Sequence, residues 1–345
     1  MQALNKKMSE RSRSFIHPAG RNVELFNEMV FSALRAMASV PDDFINDGWD
    51  FSTFQHGGGK GGSMMAFVED KFIIKELSPG DHKSLLELAP AYGRHVNRGI
   101  TTLLSPIYLH FRDEESGKFY FAMKNTIGKG PFKVCYDLKG CADDKLMEKS
   151  GERVKAVHKR IWNVGMWCGQ RNWTEERKRY YAGKLEARSV QIGLLQEQRQ
   201  NLLDALKRDT DFLAGHKLMD YSFLVAIKES PPGSTSSNHL QPFRYLRSDG
   251  KEIAVYVAII DFLQIWTAGK RIARCIKVCE RNKATIPPKS YAGRFVKHFS
   301  EHVIEVDEEA APDPLDSDFV EVPLEVQSIR AQRTLYNNSN RRKGK

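Results

Sequence analysis

The chain has 345 residues, 41% of them hydrophobic, which is enough to bury one substantial core. Its five cysteines, an odd count without paired metal spacing, fit a reducing cytosol; Cys275 and Cys279, one helical turn apart, are too few ligands for zinc. The net charge of +10 points to a polyanionic partner, while the longest apolar run, Ala254 to Ile260, is too short to span a bilayer.

From the amino terminus, residues 1–22 are polar and basic, with no charged-then-apolar secretory build, and are expected to be disordered or an appendage. Val23 to Met37 carries apolar residues at helical spacing (Leu25, Phe26, Met29, Val30, Ala33, Leu34, Met37) and predicts a packing helix. Gly57 to Ser63 satisfies G-x-G-x-x-G and is followed by a strand at Met64 to Glu69, a turn at Glu69-Asp70, and a second strand ending Phe72-Ile73-Ile74-Lys75. A dinucleotide-binding reading finds an acid at Glu76, but it needs a helix directly after the glycines. A Walker A loop fails because Lys60 is followed by Gly61 and Gly62. A merely flexible glycine-rich loop is the plain alternative, and the lysine on the following strand argues against it.

Thr102 to Lys124 has strand-like runs on either side of the polar break Arg112 to Lys118, completing an antiparallel amino-terminal sheet. Lys145 to Lys184 is charged and reads as helical, with Trp162, Trp167 and Trp173 more in keeping with a core than with membrane anchors. Gly193 to Phe212 predicts a helix with Leu195, Leu202, Leu203 and Leu206 inward. Next, Met219-Asp220-Tyr221-Ser222 opens the apolar run Phe223 to Ile227, and the run Ile253 to Ile260 closes on Asp261. An aspartate at a strand end is usually a turn residue. If these two strands pair as a hairpin across the polar connection Glu229 to Gly250, however, both carboxylates share one edge, as magnesium-dependent phosphoryl transfer requires.

Beyond Asp261, Lys270, Arg271, Arg274, Lys277, Arg281 and Lys283 alternate with Ile265, Trp266, Ile272, Ile276 and Val278, a basic amphipathic stretch that suits a lipid interface or a solvated helix. Residues 301–325 hold ten acids and no Lys or Arg, so once they are set aside the net +10 becomes +20. The acidic, proline-bearing part and the basic end Arg341 to Lys345 read as a tail, and no internal repeat is present.

These landmarks carry a resemblance. Gly59-Lys60-Gly61-Gly62-Ser63, Phe72-Ile73-Ile74-Lys75, Tyr136-Asp137-Leu138-Lys139-Gly140-Cys141, Met219 to Leu224, Ile259 to Gln264, and Ile286 to Phe295 with its P-x-x-Y-A-x-R-F pattern resemble, in order, the landmarks of phosphatidylinositol phosphate kinases. The match spans roughly Val30 to Phe299. It implies an α+β, two-lobed, protein-kinase-like fold with antiparallel sheets, and a catalytic domain over residues 23–300 followed by the tail 301–345.

The resemblance also implies an ATP- and Mg2+-dependent lipid kinase acting on a phosphatidylinositol monophosphate in an anionic membrane, as a cytoplasmic, peripheral protein. Asp220 matches the catalytic-loop aspartate, Asp261 the magnesium ligand, and Lys75 and Lys139 lysines of the nucleotide and phosphate site. Gly59, Lys60, Gly61, Gly62 and Ser63 would cover the phosphates, and Met123-Lys124-Asn125 would be the hinge beside adenine. Lys270, Arg271, Ala273, Arg274 and Lys277 fall in the stretch that in the family contacts membrane and helps choose the lipid; Ala273 leans toward the 5-phosphate as substrate. The family's serine is Cys141 here, which leaves open a kinase-fold phosphoinositide binder with little turnover; a nucleophilic Cys141 lacks a His and acid beside it, so a buried thiol is expected. Asp81 and Glu87, on the helix expected after Lys75, are both candidates for its acid partner. A protein kinase is disfavoured because H-R-D-L-x-x-x-N and D-F-G are absent. No nucleic-acid motif accompanies the basic charge, so no nucleic-acid partner is expected, and a homodimer is left open.

Overall fold

The computed structural model describes residues 15–56, 64–99, 101–157, 173–230, 243–246, 250–267 and 285–306. The chain divides into a unit spanning Met1–Ala311 and another spanning Pro312–Lys345, and every described residue belongs to the first. The expected tail lies outside the described residues from 307 onward.

The first sheet comprises β1 (Val23–Leu25), β2 (Gln55–His56), β3 (Met64–Val68), β4 (Phe72–Leu77), β5 (Ile107–Asp113) and β6 (Phe119–Lys124), in the order β1-β5-β6-β4-β3-β2. Glu69 and Asp70, between β3 and β4, both take positive φ (48° and 56°), the backbone that lets a two-residue turn follow the twist of its strands. Val68, Ile74, Leu109, Phe111, Tyr120 and Ala122 form the apolar face of this sheet, joined by Ile16 and Ile45. Ile16 is 1% exposed, so the packed body begins inside the segment expected to be disordered.

Helix α1 (Glu28–Met37) is shorter than expected, because Val23 to Leu25 pair with β5 in the register Val23↔Asp113. An exposed sheet edge gives those residues backbone partners that a helical turn of the same apolar spacing would have to forgo. The helix then turns Phe31, Leu34 and Arg35 inward and leaves Met29 and Met37 more than half exposed. Helix α2 (Pro79–Val96) starts where Ser78 accepts from the Asp81 backbone N–H at 3.1 Å, with Pro79 in the first turn.

Continuing along the chain are β7 (Val134–Leu138), β8 (Lys145–Lys149), β9 (Glu152–Arg153), α3 (Glu175–Ser189), β10 (Ile192–Leu194), α4 (Gln196–Gly215), β11 (Ser222–Ser230), β12 (Phe243–Leu246), β13 (Glu252–Ile260), α5 (Pro288–His302) and β14 (Val303–Glu305). The second sheet has the order β12-β13-β11-β7-β8-β9, while β10 and β14 pair in parallel. The expected helical reading of 145–184 holds only from Glu175; β8, with Leu146 and Met147 between charged residues, and β9 add to the sheet instead, with β9 at its edge. Trp173 packs against Tyr181 and under the Arg177 guanidinium at 4.2 Å, whereas Trp162 and Trp167 lie outside the described residues. Leu202 and Leu206 of α4 are buried as predicted, with Leu203 half-buried. Val303 and Val306 are buried too, so packing continues past the expected boundary at residue 300.

Three connections tie the sheets together. Residues 125–133 cross from β6 to β7; Leu103 and Ser105 exchange backbone hydrogen bonds with Ile259 at 2.6 and 2.9 Å; and α2 meets α4 through His95 Nε2 and Asp209 Oδ1 at 2.7 Å. The other Asp209 oxygen accepts from Thr102 Oγ1 at 3.0 Å and the Leu103 N–H at 2.6 Å, so this buried carboxylate is fully engaged.

Candidate active site

Strand pairing assembles the site. In the β11·β13 ladder Ser222 faces Ile260, so Asp220 and Asp261 leave the sheet at the same edge, as the hairpin reading required. Leu138 of β7 lies opposite Phe223, which brings Lys139 to that edge as well. Asp220 and Asp261 both have positive φ (65° and 58°), a backbone that aspartate tolerates better than most residues and that bends each one out of the strand direction.

Two lysine–aspartate pairs result. Lys139 Nζ donates to Asp220 Oδ1 at 2.6 Å and to the Asp220 carbonyl at 2.9 Å. Lys75, arriving from β4 of the other sheet, pairs with the Asp261 carboxylate. Desolvation opposes the charged form of Asp261, but the Lys75 ammonium, with Lys139 and Lys145 behind it, holds its carboxyl below the usual carboxylate value. Burial opposes the Lys139 ammonium, but Asp220 foremost, then Asp137 and Asp261, holds it above the usual lysine value. Asp261 and Lys139 are therefore charged at neutral pH, and each pair is accessible on one side, with Asp261 the most open of the four side chains at 47%.

Asp81 and Glu87 are not the partners of Lys75. Asp81 bonds Ser78 Oγ at 2.7 Å within the helix cap, and Glu87 faces Lys83 at 4.0 Å. The acid is Asp261, 186 residues away, a separation that no local pattern reveals.

The loop carrying Lys139 is held by Asp144. This carboxylate is fully buried and accepts the Lys139 N–H at 2.5 Å and the Cys141 N–H at 3.2 Å. Position 141 thus contributes a backbone donor to its loop, which a serine-to-cysteine difference leaves intact. The Cys141 thiol is 2% exposed and burial pushes it up to about 11, in keeping with the expected inert thiol. Asp144 itself gives no sequence signal, being one acid of an Asp-Asp pair in a polar stretch.

Behind the site, the Tyr291 hydroxyl of α5 donates to the Tyr221 carbonyl, and Phe295 packs on the Tyr221 ring at 5.0 Å. The P-x-x-Y-A-x-R-F stretch is thereby a brace for the Asp220 loop. The residues after Asp261 double back on it, with Met219 N–H to Gln264 O at 3.0 Å and Trp266 N–H to Lys217 O at 2.9 Å.

The other expected site residues divide. Gly59, Lys60, Gly61, Gly62 and Ser63 lie outside the described residues; the flanking His56 and Met64 pair with each other, and a strand rather than a helix follows, which excludes the dinucleotide-binding reading. Met123 is buried opposite Ile73 at the start of the crossing between sheets. Asn125 sits in that crossing, but its side chain donates to the Asp70 and Gly128 carbonyls at 2.8 and 3.2 Å, so it holds the β3–β4 turn. Lys270, Arg271, Ala273, Arg274 and Lys277 lie outside the described residues.

The donor chemistry fits Mg2+: Asp261 offers an ionised, half-open hard oxygen donor, and no cluster of three or more His, Cys, Asp or Glu is present among the described residues to form an all-protein cage. Magnesium is commonly held that way, by one or two carboxylates with the substrate phosphates completing its shell.

Two antiparallel sheets joined by the Lys75–Asp261 pair, with Lys139–Asp220 at the same edge of the second sheet, define a kinase-like fold. The family described as phosphatidylinositol-4-phosphate 5-kinase matches residues 51–244 and 243–302, and the chain belongs to that family. It is 23% identical over 280 residues to a phosphatidylinositol 4-phosphate 5-kinase of Plasmodium falciparum, covering 71% of this chain and 15% of the relative. It is 22% identical over 342 residues to a 1-phosphatidylinositol 3-phosphate 5-kinase of Saccharomyces cerevisiae, covering 91% of this chain and 13% of the relative. Against a phosphatidylinositol 4-phosphate 5-kinase of Schizosaccharomyces pombe the identity is 28% over 183 residues, 51% of this chain and 22% of the relative. The chain therefore spans less than a quarter of the length of each of these relatives. No helix among the described residues is long and apolar enough to cross a membrane.

Proposed function

We propose that this protein transfers the γ-phosphoryl group of ATP to an inositol hydroxyl of a phosphatidylinositol monophosphate. The observation that carries the reading is the convergence of Lys75–Asp261 and Lys139–Asp220 from two sheets on one edge. In this reading Asp220 orients the acceptor hydroxyl and takes its proton, while Lys139 steadies its charge. Lys75 exchanges its carboxylate partner for a phosphate when nucleotide enters, which frees Asp261 as a metal ligand. Bound there, Mg2+ would neutralise charge on the phosphates.

The relatives named above are all 5-kinases, of a 4-phosphate or a 3-phosphate, which supports a free 5-hydroxyl as acceptor against the lean from Ala273. The basic stretch from Lys270 to Lys277 supports docking on an anionic membrane, with ATP and Mg2+ supplied from the aqueous side. The experiment is transfer of labelled phosphate to lipid in vesicles by the wild type and by Asp220→Asn: the reading expects a bisphosphate product that the variant makes far more slowly, and equal rates would remove Asp220 from the chemistry.

A further inference from the structure

We propose that Asp144 is the positioning residue for Lys139: its buried carboxylate gathers the backbone N–H groups of Lys139 and Cys141 and so aims the Lys139 ammonium at Asp220. This rests on the role given to Lys139 above. The loop is short and is fixed from two sides. On the inside, Asp144 closes a turn through its own N–H to the Cys141 carbonyl at 3.1 Å and clasps the backbone with its side chain. On the outside, Gly140 has φ +63° and lies against α5 so closely that an added Cβ would meet the His298 Cβ at 3.0 Å. Between these contacts the Lys139 backbone has one course to follow, and its side chain reaches both the carboxylate and the carbonyl of Asp220.

The surroundings of Asp144 are otherwise unfavourable to charge. Burial and Asp137 of β7 push its carboxyl up to about 6, against the pull of the backbone donors of the Lys139 loop. Asp143 adjoins it in sequence, and Lys184 reaches the same region from α3. The sign follows: the folded protein keeps this proton up to about 6 whereas an ordinary carboxyl loses it near 3.8, so above about 6 the ionised group lowers stability.

The test is Asp144→Asn, which keeps the size but replaces one acceptor oxygen by a donor facing a backbone N–H, with Asp144→Ser as a smaller second variant. The expected result is a thermal midpoint at neutral pH no lower than wild type for Asp144→Asn, with turnover lower by about tenfold because Lys139 loses its aim. The wild-type activity should also fall below about pH 6, and this acid limb should flatten in Asp144→Asn. A readout free of turnover accompanies these: amine acylation followed by peptide mass spectrometry should modify Lys139 faster in both variants than in the wild type, with Lys75 unchanged. Wild-type labelling of Lys139 in folded variants, or a loss of activity that only tracks the loss of folded protein, would overturn the assignment. A wild type that transfers no phosphate to lipid, yet shows the expected labelling changes, would overturn the kinase reading and leave the positioning role standing.

Discussion

At the scale of single residues, the account turns on which charges face one another. Asp261 is half-open and ionised, and Asp261→Asn should keep the fold while lowering phosphoryl transfer by roughly 100-fold or more, the order expected when a group stabilising transition-state charge is removed. A rate within a few-fold of wild type, in a variant with an unchanged thermal midpoint, would remove Asp261 from the metal site. Because its folded value is depressed, the stability that this carboxylate gains from Lys75 is present above its ordinary value of 3.8 and is lost only as pH falls through the lower folded value. An activity loss near pH 6 therefore belongs to another group. Lys75→Met should weaken ATP binding and nearly abolish turnover, since a thioether does not pair with phosphate; titration of a nucleotide analogue measures the first effect and initial rates the second. Asp220 and Asp261 were legible in the sequence at the ends of apolar runs, and Lys75 as a lysine late in the strand after the glycines, whereas Lys139 came only from the family resemblance. The partner of Lys75 and the role of Asp144 were not, since both depend on contacts that only the folded chain creates.

Among elements, the strands that build the site were the most readable. The runs ending at Ile260 and beginning at Phe223 alternate or pack as buried strands, and their pairing register alone places the two aspartates together. The misread segments lie at sheet edges. Residues 23–25 have helical apolar spacing but were taken up by the free edge of β5, and the charged stretch at 145–153 became an edge pair whose half-polar strands look like helix surface. The stretch that forms α5 was recognisable by motif, although neither its helix nor its brace on the Asp220 loop was. Tyr291→Phe should orphan the Tyr221 carbonyl and lower stability by about 1–3 kcal/mol, read by denaturant unfolding. A neutral effect there would mean that the loop is held by its neighbours alone. The larger loss is expected at Asp209→Ala, which strips His95, Thr102 and Leu103 of a shared buried acceptor and loosens α2 from α4.

Over the whole molecule, the two sheets bring a lysine from one to an aspartate on the other, so the proposed chemistry requires the lobes to be in register. The basic balance outside the acidic stretch, +20 once its ten acids are set aside, gives the protein a reason to sit on an anionic surface. Replacing Lys270, Arg271 and Arg274 by Ala should weaken binding to anionic vesicles, at about 1 kcal/mol per cation, and should lower activity there more than on a short-chain soluble lipid. Equal losses on both substrates would assign those side chains to the chemistry or the fold. The most direct measurement of the central claim is transfer of labelled γ-phosphate from ATP to each of the three phosphatidylinositol monophosphates in mixed vesicles, with and without Mg2+, by the wild type and Asp261→Asn. The account predicts a labelled bisphosphate from at least one monophosphate, dependent on Mg2+ and lost in the variant. No labelled product from any of the three, with a folded wild type that still binds the vesicles, would contradict it.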